Sequence, residues 1–177
     1  MAYTFDDNKA GLLQIAVTDA GVTMANGTSA IPTPPAVLGQ VERAFDPTYG
    51  AGEFILLVGV ANTAVGSLVT YDGTTYQTTL AATTANQARP VAVAMSANGA
   101  GSFGWYQIEG TAVVTKTTGA KVNPTVAIGV VSTGKIGASA SGKEILGARS
   151  ANAATVASAT TTVAVVINRP HLQGRIT

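Results

Sequence analysis

The sequence predicts an all-β protein, a small β-sandwich or β-barrel with an extended N-terminal arm. Short runs rich in β-branched and aromatic residues recur along the chain, and turn residues separate them about every 8 to 12 positions. No strongly amphipathic helix is predicted between these runs, which argues against alternating strand and helix units. A chain of 177 residues has room for one domain of ordinary size. We therefore expect an arm over residues 1–35 and a single β-rich domain over residues 36–177.

The predicted arm combines a polar start with a short apolar run at residues 12–17. Glycines, the Asn26-Gly27 pair and three prolines then break any long element, so the segment should be extended. Residues 36–45 fit either a helix or a strand, because their apolar residues match both periods; the nearby glycine and proline favour a strand.

The domain contains nine further strand candidates, and an Asp72-Gly73 turn between two of them predicts a hairpin. A segment rich in alanine and serine, residues 150–159, fits a short helix or a loop equally well. The nine candidates are residues 53–61, 66–71, 74–80, 90–95, 104–109, 111–116, 125–131, 144–148 and 161–168.

Composition excludes several functional classes. The longest apolar run, Phe54 to Ala61, is far shorter than the roughly 18 to 20 residues of a membrane-spanning helix, so we expect no membrane association. The first residues carry two aspartates and no basic start, so we expect no secretory signal. The chain has no cysteine and one histidine, His171, which excludes thiolate and multi-histidine metal sites. We expect no cofactor and no bound metal.

Charge is distributed unevenly along the chain. Residues 1–80 hold seven acidic and two basic residues, a net charge of −5, whereas residues 81–177 hold two acidic and eight basic residues, a net charge of +6. The two halves either neutralise each other within one fold or contact an oppositely charged surface on another molecule. The basic residues are not interleaved with aromatics, so we expect no direct binding to nucleic acid.

Two glycine-rich strings resemble phosphate-binding motifs but lack their context. Residues 99–104 match the dinucleotide-binding pattern, yet a strand follows instead of a helix, so we expect a hairpin loop. Residues 129–135 approach a phosphate-binding loop, but Ile136 replaces the magnesium-binding hydroxyl. Here we expect a strand, a turn and then a loop.

No catalytic set can be assembled from the sequence. The acidic residues are scattered, and the one histidine has no nucleophile placed beside it. Hydrolysis by a carboxylate pair would need Glu109 and Glu144, which nothing in the sequence brings together. We expect that the protein is not an enzyme.

Four stretches resemble capsid cement or head decoration proteins of tailed bacteriophages. The likeness extends from residue 38 to residue 174, and its most specific phrases are Gly-Trp-Tyr-Gln-Ile-x-Gly and the Ile-Asn-Arg-Pro near the end. The stretches are AFDPTYGAGEFILLVGVANTAVGSLVTYDG (44–73), RPVAVAMSANGAGSFGWYQIEGTAVV (89–114), KEILGARS (143–150) and VAVVINRPHLQG (163–174).

This resemblance implies a structural role on the outer surface of a phage capsid. Such a protein would bridge neighbouring major capsid subunits, stabilise the shell and act as a homo-oligomer, with a trimer favoured over a dimer. It would be assembled in the cytoplasm of the host bacterium. The residues that we predict to contact the capsid or another subunit are Tyr3, Phe5, Leu12, Leu13, Ile15, Trp105 and Arg169.

The aromatic residues suggest an alternative class. A virion adhesin or carbohydrate-binding module would stack exposed aromatic rings on sugars, which requires those rings to converge on one surface. The candidates are Tyr49, Tyr71, Tyr76 and Trp105. Around Trp105, strand alternation places Trp105 and Gln107 on one face and Tyr106 and Ile108 on the other, with one face in the core and the other free for contact.

Overall fold

The computed structural model describes residues 3–6, 13–18 and 34–175. Within these ranges the chain is all-β, as predicted, and contains no helix. Its eleven strands are β1 Thr4–Phe5, β2 Val41–Asp46, β3 Gly50–Val58, β4 Leu68–Tyr71, β5 Thr78–Leu80, β6 Val91–Ala94, β7 Phe103–Thr115, β8 Ala127–Ser132, β9 Lys135–Ala138, β10 Glu144–Ser150 and β11 Thr162–Leu172.

All eleven strands join one antiparallel sheet. The main order is β1-β2-β3-β7-β11-β10-β8-β9, and β4, β5 and β6 branch from it through the pairing of β6 with β7. The sheet is not closed into a barrel, so the sandwich-like form of the prediction is confirmed and the barrel alternative is wrong.

The long strand β7 connects the two halves of the sheet. Its first part pairs with β3, where Trp105 is opposite Leu56, and its last part pairs with β11, where Thr111 is opposite Val166. Two strands were predicted over residues 104–109 and 111–116, but they form one strand that continues through Gly110. One element therefore contributes to both the N-terminal and the C-terminal half of the sheet.

The largest core lies where β4 and β6 face the strands of the C-terminal half. A second core lies against the other face of β4 and β6 and includes Ile55, Tyr106 and Ile108. The largest core is built from small and medium aliphatic residues, as the composition suggested. Its members are Leu68, Ala81, Val91, Val93, Ala112, Val114, Val122, Ile128, Val130, Ile136, Ile145, Val163, Val165, Ile167 and Leu172.

Most local predictions agree with the structure, and β9 is the clearest exception. Residues 41–46 form a strand, so the helical alternative for residues 36–45 is wrong. The segment from Lys135 to Ala138 was predicted as a loop but pairs with β8 through Val130 and Ile136. A four-residue strand with a single large apolar side chain is too short to show alternation in the sequence. Whether it pairs depends on the neighbouring strand.

The predicted hairpin at Asp72-Gly73 is confirmed, although its connection is longer than two residues. β4 and β5 pair up to Tyr71 and Thr78, and residues 72–77 form the loop. The Asp72 carboxylate accepts hydrogen bonds from the amides of Thr74 and Thr75, each at 2.8 Å. These bonds stabilise the ionised form and lower the pKa of Asp72.

The glycine-rich string at residues 99–104 ends the loop between β6 and β7, as predicted. Gly104 is required there because a Cβ atom at this position would clash with the buried side chain of Asn98. The segment over residues 150–159 contains no helix, and a bridge between Val122 and Val156 holds it against the preceding loop.

Candidate functional site

One side of the N-terminal half of the sheet is covered by residues from the start of the chain. We call this region the covered patch and define it by four buried residues: Ala44, Phe54, Leu56 and Trp105. Ile15 is buried against them. The residues that pack around this cluster are Tyr3, Phe5, Leu13, Ala36 and Leu38.

Aromatic contacts and one hydrogen bond hold the N-terminal residues to the covered patch. Phe5 meets Trp105 edge to face with ring centroids 5.4 Å apart, and Tyr3 meets Phe54 in the same way at 4.8 Å. The indole Nε1 of Trp105 donates a hydrogen bond to the backbone oxygen of Leu13 at 2.6 Å. The two described N-terminal pieces are therefore part of the core packing.

A buried amide extends this contact. The Nε2 atom of Gln107 lies 3.3 Å from the Tyr3 hydroxyl, and it donates to the backbone oxygens of Glu109 at 3.0 Å and Thr111 at 3.2 Å. The Tyr3 hydroxyl itself donates to the Thr111 oxygen at 2.9 Å. Burial of the phenol is the largest cause of a raised pKa at Tyr3.

The structure brings most of the predicted contact residues together, but it places them inside the chain. Trp105 and Ile15 are fully buried, and Tyr3, Phe5 and Leu13 are half-buried in the same cluster. Leu12 lies outside the described residues. The alternation predicted around Trp105 is correct, but both faces of the strand are core, because Tyr106 and Ile108 pack on the other side. Contact of these residues with a capsid or a second subunit stays a prediction, and Trp105 offers no exposed surface for it.

Arg169 is separate from this cluster. It has a positive φ of 42°, and its Nη2 atom lies 2.5 Å from the Oε2 atom of Glu53. Glu53 belongs to the acidic half of the sequence and Arg169 to the basic half, so this ion pair joins the two halves as neighbours in one fold. The Arg169 side chain remains 62% exposed, and its predicted contact with another subunit stays a prediction.

The C-terminal half of the sheet leaves one side uncovered. We call this region the open patch and define it by five outward-facing residues: Thr111, Val113, Arg149, Ala164 and Val166. They alternate with core residues such as Ala112 and Val165 and are half-buried or exposed. The side chains are small except for the arginine, so the patch is broad and weakly polar.

A buried lysine, which we did not predict from the sequence, fixes the loops at the end of β7. Lys116 is only 2% exposed, and its ammonium group donates to the backbone oxygens of Thr117 at 2.9 Å, Ala120 at 2.6 Å and Ser158 at 3.3 Å. Three carbonyl groups from two loops thus converge on one positive charge. The segment around Lys116 is rich in glycine and threonine, and no pattern in it distinguishes a buried lysine from an exposed one.

The acidic residues of the described ranges do not form a ligand cluster. Glu109 lies on β7 and Glu144 on β10, with β11 between the two strands, so the structure does not bring this pair together. No group of three or more histidine, aspartate or glutamate residues in these ranges is arranged to hold a metal ion.

The four aromatic residues proposed for sugar stacking do not form one exposed surface. Trp105 is fully buried, and Tyr71 and Tyr76 pack against the second core, on the other side of the sheet. Burial is the largest cause of a raised pKa at Tyr71. This arrangement gives no platform on which Trp105 and the tyrosines could stack together against a sugar.

Comparisons with known proteins do not identify the chain. It matches no protein-family model, no curated protein and no solved structure. Residues 3–6, 13–18 and 34–175 include no helix with the length and hydrophobicity needed to cross a membrane.

Proposed function

We propose that the protein is a structural cement or decoration protein on the outer surface of a tailed-phage capsid. It would bridge neighbouring major capsid subunits as an oligomer, preferentially a trimer, and stabilise the shell without catalysis. The observation that carries the proposal is the position of the four stretches that resemble this class. They are far apart in sequence, yet they supply β3, β7, β11 and β10, which are consecutive strands of the sheet.

The surface chemistry supports a role in protein contacts. The open patch presents small side chains on a sheet whose opposite side is a continuous aliphatic core, so it combines a rigid backbone with a broad contact surface. Charged residues make up only 11% of the chain, which reduces the cost of removing water from such a surface. In the proposed complex the open patch faces the shell.

Electron cryo-microscopy of the virion tests the proposal directly. We expect density of the size of this 17.7 kDa chain outside the major capsid layer. Purified protein should also co-sediment with shells that lack it, and those shells should then resist heat better than undecorated ones. Virions that contain no such density, together with shells that fail to bind the purified protein, would exclude the function.

A further inference from the structure

A depression lies within the open patch, between β10 and β11. Its volume is about 390 Å³, and it is open to solvent on one side. The lining combines one guanidinium group, one carboxamide and small apolar side chains. The residues are Gly147, Ala148, Arg149, Val166 and Asn168.

An irregularity in the pairing of the two strands builds this depression. Leu146 pairs with His171 and Ala148 with Ile167, so that Gly147 alone faces residues 168–170. Gly147 has a φ of 76°, and a Cβ atom there would lie 2.6 Å from the backbone oxygen of Asn168. A bulge of this kind redirects side chains. Here it separates Arg169, which turns to Glu53, from Asn168, which stays in the depression beside Arg149.

Arg149 has no ionic partner among the described residues. It is exposed, and the ion pairs of the described residues, Arg43 with Asp6 and Arg169 with Glu53, do not include it. Glu109 lies beside the depression on β7, since its Cα pairs with that of Asn168, but it forms no ion pair with Arg149. The guanidinium group is therefore available to an anion from another molecule.

We propose that this depression binds an aspartate or glutamate side chain presented by a partner protein. Arg149 would donate to the carboxylate, the Asn168 amide would add a further donor, and Val166 would contact the aliphatic part of the side chain. A nucleic acid is the less suitable partner, because a phosphate backbone needs a series of cations and the depression has one, with no aromatic side chain for base stacking.

Titration of the ¹⁵N-labelled protein with short peptides tests this site without any capsid. The probes are acetyl-Gly-Glu-Gly-amide, the matching glutamine peptide and a short DNA duplex. We expect the glutamate peptide to shift the amide signals of Gly147, Arg149 and Asn168 in a saturable way, with a dissociation constant on the order of 1 mM. The glutamine peptide should cause at least tenfold weaker effects at the same concentration.

Three variants make the result specific. Arg149→Gln should weaken binding of the glutamate peptide at least tenfold, and Arg149→Lys should restore part of it. Lys135→Gln, which removes an exposed cation from the edge strand β9, should leave binding unchanged. Unchanged spectra elsewhere would show that each variant is folded.

Two outcomes would overturn the proposal. Equal shifts with the glutamate and glutamine peptides, or wild-type affinity in Arg149→Gln, would show that no carboxylate site exists. A larger effect of the DNA duplex at the same amides would assign the site to phosphate instead of a protein carboxylate. Because shells are not used, failure here leaves the proposed capsid function to its own test.

Discussion

The covered patch and the open patch lie at the two ends of strand β7, and they differ in chemistry. The covered patch presents Phe54 and Trp105, and the N-terminal residues bury both. The open patch presents valine, alanine and threonine around Arg149, and its residues are half-buried or exposed. The large aromatic rings are therefore buried within the chain, whereas the small side chains remain accessible to solvent.

This difference assigns separate roles to the two patches. Burial of an aromatic side chain contributes several kcal/mol to folding, so the covered patch and its N-terminal cover act in stability. The small side chains of the open patch contribute little when they are exposed, but they allow another surface to approach closely. The aromatic cluster that first indicated a binding surface is therefore a folding element, and the proposed binding surface lies at the other end of β7.

Replacement of Trp105, in the covered patch, should have the largest effect on the free energy of unfolding. Trp105→Ala removes a fully buried ring and leaves the Leu13 carbonyl without its donor, so the free energy of unfolding should fall by about 4 kcal/mol. Val166→Ala in the open patch should change it by less than about 0.5 kcal/mol. Urea denaturation followed by circular dichroism measures both. Similar losses in the two variants would contradict the distinction between the patches.

The open patch should depend on Lys116, which holds the loops beneath its end. Lys116→Met keeps the length of the side chain but leaves three backbone carbonyls without their common donor, which should cost about 3 kcal/mol. Lys135→Met, at an exposed site, is the matched control and should be nearly neutral. Thermal unfolding compares the two. If both variants unfold at the same temperature, the carbonyl cluster is not a structural element.

The sequence was sufficient for most strands but not for their environment. The predictions over residues 90–95 and 161–168 matched β6 and the first part of β11, because β-branched runs report on local backbone preference. The burial of Trp105 was not predicted, because it depends on residues about 90 positions earlier in the chain. The same limit applies to Lys116 and to the bulge at Gly147, where contacts between distant segments decide exposure and pairing.

Alkaline pH should weaken the covered patch before the open patch. Burial raises the pKa of Tyr3, so folding favours its protonated form; this stability is complete below about pH 10 and is lost as the pH rises through the raised value. Residues 107–177, which supply the open patch, contain no tyrosine.

Unfolding experiments between pH 8 and pH 11 would measure this effect. Stability of the wild type should decline above pH 10, and Tyr3→Phe should show a shallower decline. Tyr106→Phe is the comparison variant, because burial also raises the pKa of Tyr106 on the other side of the strand. Identical pH profiles for Tyr3→Phe and the wild type would show that ionisation of Tyr3 does not affect the stability of the protein.

A charge introduced into the open patch should have the smallest effect on folding. Such a variant therefore tests function separately from stability. Val166→Asp should change the free energy of unfolding by no more than about 0.5 kcal/mol, since the side chain is already 36% exposed. Val41→Asp, at 39% exposure on β2 and outside the open patch, is the matched control. If the open patch faces the capsid, only Val166→Asp should lose co-sedimentation with shells, because the new carboxylate would lie opposite Arg149 and compete with a carboxylate of the partner, or would have to give up its water in the contact. Equal retention of both variants would move the shell-binding surface away from the open patch, while equal loss would indicate that the surface around Val41 is also enclosed in the assembly.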